Sequence, residues 1–238
     1  MTNFVLVHGA WHGGWVWRKI AEPLRALGHR VFAPTLTGLG ERGHIFSETV
    51  VLDTHIQDVV GLLECEELED VLLVGHSYGG TVITGVAGRA AKRLKGLVYL
   101  DAFVPESGQS MKSMALLGRF EKMAENAVAA GTPLLVPPPE ASFWSVIDPA
   151  DAAWLNRRLT PHPINTYTQA VEYAINLKDI GSLTYIHATG NTLGQFDRFA
   201  EQAKIDDAWH LDVLPCGHEV MVDMPEELIK MLCAAAKR

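Results

Sequence analysis

The hydrophobic positions of the chain fall into short unbroken runs separated by longer stretches with helical spacing. Six runs stand out: Phe4–Val7, Arg30–Ala33, Val71–Val74, Gly96–Leu100, Thr184–Ala188 and Trp209–Leu214. Most lack polar alternation, which is the pattern of strands covered on both faces. Between them lie helical stretches. One runs from Trp15 to Leu27 with Gly28 as its stop, and Pro23 inside it predicts a kink or a late start. A second spans Asp53–Glu64, with Asp53 or Thr54 as cap, and a third follows Ser77 to Ala91. The last begins near Asp223, which has capping-box spacing to Glu226, with Pro225 in the first turn. Strand–helix alternation of this kind predicts an α/β fold, a mostly parallel six-stranded sheet with helices on both faces.

One section breaks the rhythm. From Phe103 to Asp179 no convincing strand occurs, and the helix-like pieces Ser113–Ala130, Asp148–Leu159 and Ile164–Ile175 surround the proline run Pro137–Pro139. We read residues 1–238 as one domain with a helical cap inserted at about 103–180.

Composition narrows the function. A chain of 238 residues buries roughly three quarters of its unfolded surface and needs no staples. Twenty basic residues stand against 28 acidic ones, a net charge of −8, which argues against nucleic acid or an anionic membrane as partner. Three cysteines, Cys65, Cys216 and Cys233, form no CxxC pair, so neither a disulfide framework nor a zinc ribbon is expected. No basic n-region and apolar h-region precede Phe4–Val7, and no window approaches a membrane-spanning length, so the expectation is a cytoplasmic protein.

The candidate chemistry centres on Gly75-His76-Ser77-Tyr78-Gly79, which fits G-x-S-x-G. A nucleophile on a tight strand-to-helix turn needs small neighbours, and here an apolar run precedes the motif and a small-residue helix follows it. A helix-capping serine is the bland alternative, but it would not require glycines on both sides. A serine hydroxyl needs a base. His218 follows the last strand, in a loop that parallel topology brings to the same sheet edge. The oxyanion donors expected are the backbone N–H groups of Tyr78 and of Ala10, the latter in the loop HGAWHGGW. His8 and His12 are four apart, but with no acidic residue nearby in sequence we expect no metal site and no cofactor.

Taken together, FVLVHGAWHGGWVW, TLTGLGERGH, LDTHIQDV, VGHSYGG, YLDAFVP and PCGHEVM beside MPEEL resemble the α/β-hydrolase fold, and more narrowly the branch of plant methylesterases, hydroxynitrile lyases and small bacterial esterases. The resemblance implies a triad acid just after the penultimate strand, where Asn191 stands instead. An asparagine orients a histidine but supplies no charge for imidazolium. Asp101 ends the strand after the nucleophile strand. It therefore emerges at the catalytic edge, and some members of the superfamily carry their acid at this site. Asp101 is the acid we expect, with Asp197 or a neutral Asn191 arrangement as alternatives. The same resemblance makes lyase chemistry improbable, because Glu219 and Gly9 occupy positions where lyases carry lysine and threonine. The GxGxxG match at Gly38–Gly43 opens no clean helix and is expected to be a loop beside the pocket. Cys216 is expected to be a packed thiol.

The expected activity is serine-dependent hydrolysis of small, mostly apolar carboxylic esters through an acyl-enzyme. Carbamates and lactones share the electrophilic carbonyl and remain open, as does a non-catalytic ligand-binding role. Trp11, Phe103 and Trp144 are the expected substrate contacts, with Met111, Met114, Leu116, Phe120 and Phe143 shaping or gluing the cap. Apolar cap residues also leave a homodimer open.

Overall fold

The computed structural model describes residues 1–238. The chain opens with β1 (Asn3–Val7), a 3₁₀ turn at Gly14–Trp17, α1 (Arg18–Ala26), β2 (Arg30–Phe32) and α2 (Leu52–Cys65). It continues through β3 (Val71–His76), α3 (Gly79–Ala90) and β4 (Leu94–Leu100). All six expected strands are present and all pair in parallel, in the order β2-β1-β3-β4-β7-β8, once β7 (Ser182–Ala188) and β8 (Trp209–Leu214) are included. The order reverses between β1 and β3. The chain leaves β1 toward one edge of the sheet and β3 toward the other, which opens a crevice at their carboxyl ends.

Period two along the strands feeds two cores. Phe4, Leu6, Leu72, Val74, Val98 and Leu100 point to one face, with Ile20 and Leu24 of α1. Leu228 and Leu232 of the final helix cover the same face. Val5, Val7, Leu73, Leu97 and Tyr99 point to the other, beneath α2 and α3.

Residues beyond β4 form the excursion. It contains α4 (Met111–Met114), α5 (Arg119–Ala129), β5 (Leu135–Val136), α6 (Pro149–Asn156), β6 (His162–Pro163) and α7 (Asn165–Thr168). The long helix expected at 113–130 is broken at Gly118, whose φ of +77° suits glycine. The expected helix 164–175 lasts one turn. β5 and β6 form a two-residue antiparallel pair that the sequence reading missed, because strands this short carry no periodicity. After β7 come α8 (Asp197–Ile205), β8, α9 (Val220–Asp223) and α10 (Pro225–Ala235).

Two expected caps differ. Helix α2 is capped by Val51, and Thr54 sits inside the first turn, its hydroxyl accepting the Val51 N–H. Asp223 does not cap α10. It ends α9, and its carboxylate accepts the Ile147 N–H at 3.4 Å, tying the excursion to the body. No helix is long and apolar enough to cross a membrane.

Candidate active site

Ser77 sits on the turn between β3 and α3 with φ +55°. This left-handed conformation costs a non-glycine residue about 1 kcal/mol or more and persists only where its surroundings enforce it. The Ser77 N–H donates to Leu100 O at 3.2 Å, and Ser77 O accepts from Gly80 at 3.1 Å and Phe103 at 3.2 Å. The flanking glycines are a packing requirement. A Cβ on Gly75 would lie 2.6 Å from Gly79 O, and one on Gly79 would lie 2.7 Å from Val7 O. Two further non-glycine residues with positive φ, Trp11 at +64° and Asp101 at +41°, also belong to this region.

His218 lies in the loop between β8 and α9. Its N–H donates to Trp144 O at 3.0 Å, and its own carbonyl accepts from His76 Nε2 at 3.0 Å. The imidazole stacks on Phe196 (4.8 Å, 4°) and packs against Trp144 (5.2 Å) and His76 (4.5 Å). Its Nδ1–H donates to Asp101 Oδ2 at 2.7 Å. A carboxylate only accepts, so this contact fixes the tautomer and leaves Nε2 free to take a proton.

Asp101 is fully buried at the end of β4, with its N–H donated to Ile186 O at 2.7 Å. Three donors converge on its carboxylate: His218 Nδ1, Asn191 Nδ2 at 2.7 Å and the Ala188 N–H at 3.2 Å. Asn191 is oriented in turn by Leu193, whose N–H donates to Asn191 Oδ1 at 3.0 Å. Asp197, the other candidate acid, contacts His187 instead. The nearby Tyr185 phenol is held well above its ordinary range, first by burial and then by the Asp101 charge.

Ser77, Ala10 and Tyr78 line a cavity of about 730 Å³. The backbone N–H groups of Ala10 and Tyr78 donate to no acceptor in the protein. Two free amides beside a serine suit a developing oxyanion. The Tyr78 side chain points away into the core, where its O–H donates to His55 Nδ1 at 2.9 Å while His55 Nε2–H donates to Thr37 O at 2.8 Å. Burial lowers His55 to about 4 and pushes the Tyr78 phenol well up, so both are neutral. The cavity wall includes Trp11, Phe103, Met111, Phe143, Trp144 and Phe196. Of the bulky cap residues, Leu116 also lines it, whereas Met114 and Phe120 pack in the core. Trp11 is clamped to the excursion, since its indole N–H donates to Val136 O at 3.0 Å and its backbone N–H to His162 Nδ1 at 3.2 Å. Ser77 Oγ forms no hydrogen bond to His218 in this structure; such contacts tighten when substrate binds.

The sequence reading saw no acidic neighbour for His12, yet Glu219 lies beside it, with Oε1 3.5 Å from His12 Nε2. Nitrogens of His76 and His218 and an oxygen of Glu219 also lie within 4.8 Å of one another. In this trio His218 Nδ1 is committed to Asp101 and His76 Nε2 to a carbonyl, which leaves His218 Nε2, His76 Nδ1 and the Glu219 carboxylate without a protein partner. Gly38–Gly43 leads into a 3₁₀ turn at Gly40–Ile45 rather than a helix. Cys216 is a buried free thiol pushed up to about 12, mainly by burial.

The chain belongs to the alpha/beta hydrolase family, whose model matches residues 4–231. It is 47% identical over 244 residues to a carbendazim-hydrolyzing esterase of Nocardioides sp. (strain SG-4G), covering 98% of this chain and 99% of that one. It is 37% identical over 106 residues to an alpha-hydroxynitrile lyase of Arabidopsis thaliana, covering 44% of this chain and 41% of the other. Among solved structures it is similar to an extracellular alpha/beta-hydrolase from a Paenibacillus species (TM-score 0.87, 22% identity, 100% of both chains). A methylesterase from Arabidopsis superposes with TM-score 0.78 at 24% identity, over 100% of this chain and 99% of that one.

Proposed function

We propose that this protein is a serine-dependent hydrolase of small, mostly apolar carboxylic esters, with Ser77 as nucleophile, His218 as base and Asp101 as acid. Ser77 Oγ attacks the ester carbonyl while His218 Nε2 takes its proton. The amides of Ala10 and Tyr78 hold the oxyanion. Collapse breaks the bond to the leaving alkoxide, which receives the proton from His218. Water, activated by the same imidazole, then releases the acid and restores the serine. Asp101 stabilises the imidazolium formed in both steps. The observation that carries the reading is the 2.7 Å contact between His218 Nδ1 and buried Asp101 on the rim that also holds Ser77 and two free amides.

The apolar lining supports small apolar substrates, with Trp11, Phe103 and Trp144 as contacts. Carbamates and lactones remain the alternative electrophiles. A single 1–238 domain whose excursion acts as cap belongs to the same reading, as does a cytoplasmic location, which three free thiols support. Exposed Leu117 and Ile147 on the excursion are compatible with a homodimer.

The test is a hydrolysis panel of esters, carbamates and lactones of graded size, with carbendazim included, run on the wild type beside Ser77→Ala. Turnover lost in the variant is the expected result. A panel with no turnover at all would favour a ligand-binding protein.

A further inference from the structure

Glu219 is an anomaly that the proposed mechanism leaves unused. It follows His218 directly, is fully buried, and neither carboxylate oxygen has a hydrogen-bond partner. Burying an unpaired carboxylate is costly, so something must compensate it. The candidate is His12, also buried, whose Nε2 lies 3.5 Å from Glu219 Oε1 and is likewise unpartnered.

The tautomer of His12 decides what lies between them. His12 Nδ1 contacts Ala10 O at 2.7 Å, and a carbonyl only accepts, so Nδ1 carries a proton. A neutral His12 would therefore present a lone pair at Nε2 to the carboxylate. That juxtaposition is repulsive unless a second proton sits on the imidazole or on the carboxyl. A proton shared by the pair removes the conflict and makes the pair neutral overall.

We propose that Glu219 and His12 share a buried proton, and that Glu219 is a positioning residue whose carboxylate acts on the base His218 in addition to Asp101. This rests on the assignment of His218 as base. The geometry supports it: a carboxylate oxygen of Glu219 lies within 4.8 Å of a His218 nitrogen, and His12 grips the carbonyl of Ala10 in the oxyanion loop. One pair thus touches both halves of the site.

The surrounding charges permit this role. His76, on β3, donates Nε2–H to His218 O and turns an unpartnered Nδ1 into the same region; burial lowers its pKa, so it brings no charge. His8, on the loop after β1, accepts from Leu36 N–H and donates to Gly9 O, and burial lowers it to about 3. Asp223 on α9 is pushed up by burial first, with Glu219 and Asp151 adding to it. Lys19 on α1 is spent on Asp151 and Val222 O. Asp101 is saturated by its three donors. His12 is the imidazole whose free nitrogen faces Glu219 at 3.5 Å, with its other nitrogen already committed as a donor to Ala10 O.

The test is Glu219→Gln, whose amide can donate to His12 Nε2 and so preserves packing, together with His12→Gln and the double variant. Two readouts are followed: the His218 imidazole titration by nitrogen-15 NMR, which needs no turnover, and the acid limb of kcat/KM for an ester that the wild type hydrolyses. The expected result is that Glu219→Gln moves both midpoints to lower pH by about half a unit or more, because the carboxylate end of the pair, the end within 4.8 Å of a His218 nitrogen, no longer favours imidazolium. The double variant should show no further displacement. Unmoved midpoints in a folded Glu219→Gln protein, or displacements that add in the double variant, overturn the proposal. A moved NMR midpoint in a protein without ester turnover keeps the shared proton and discards the hydrolase reading.

Discussion

Asn191 donates its side-chain N–H to Asp101 Oδ2, the oxygen that also accepts from His218. The residue standing where the resemblance places the acid thus holds in place Asp101, the acid proposed here, which comes from another strand. An amide suits this task, since a second carboxylate beside buried Asp101 would repel it. The account therefore predicts unequal losses. Asp101→Asn should lower kcat by about 10⁴-fold, since the asparagine no longer fixes the tautomer or stabilises imidazolium. Asn191→Ala should cost about tenfold, because the Ala188 N–H still anchors Asp101. Steady-state kinetics on one ester ranks them.

Tyr78 separates backbone from side chain. Its N–H is proposed for the oxyanion, while its O–H is spent on buried His55. Tyr78→Phe leaves His55 Nδ1 without a donor and should cost about 1–3 kcal/mol of stability, with kcat changed less than about threefold. Urea unfolding beside steady-state kinetics checks both halves.

Buried neutral histidines make the fold sensitive to acid. His8 is held at about 3 and His55 at about 4, in each case chiefly by burial, against an ordinary value of 6.5. Below pH 6.5 the unfolded chain protonates these side chains and the folded chain does not. Stability is thus complete above pH 6.5 and falls as pH drops toward 4, by up to about 1.4 kcal/mol per unit for each histidine. Urea midpoints between pH 7.5 and about pH 5 should decline accordingly. His55→Phe, which removes one of these groups, should flatten the decline.

The sheet was legible because its four inner strands β1, β3, β4 and β7 are almost wholly buried and read as apolar runs, while the edge strands β2 and β8 are partly exposed and carry polar residues. The strained turn at Ser77, the proposed nucleophile, was legible because it demands glycine two residues to either side. Helix starts were less so. Asp53 looks like a cap, yet the first turn begins a residue earlier, with Thr54 bonding back to Val51. Asp223 has capping spacing but is drawn to the Ile147 N–H, a partner 76 positions away. The pairing of Glu219 with His12 was illegible for the same reason. Their contact joins the two ends of the chain, and no local period records it. The only hint in the sequence is an acidic residue between His218 and the apolar run Val220–Val222.

The central claim is that Ser77 is an activated nucleophile, and covalent labelling tests it most directly. Treatment with an organophosphonate, followed by peptide mass spectrometry, should give rapid stoichiometric modification at Ser77 alone, with ester hydrolysis lost in step and labelling strongly slowed in His218→Ala. Hydrolysis that continues undiminished in a protein left unlabelled at Ser77, or labelled at another residue, would contradict the account.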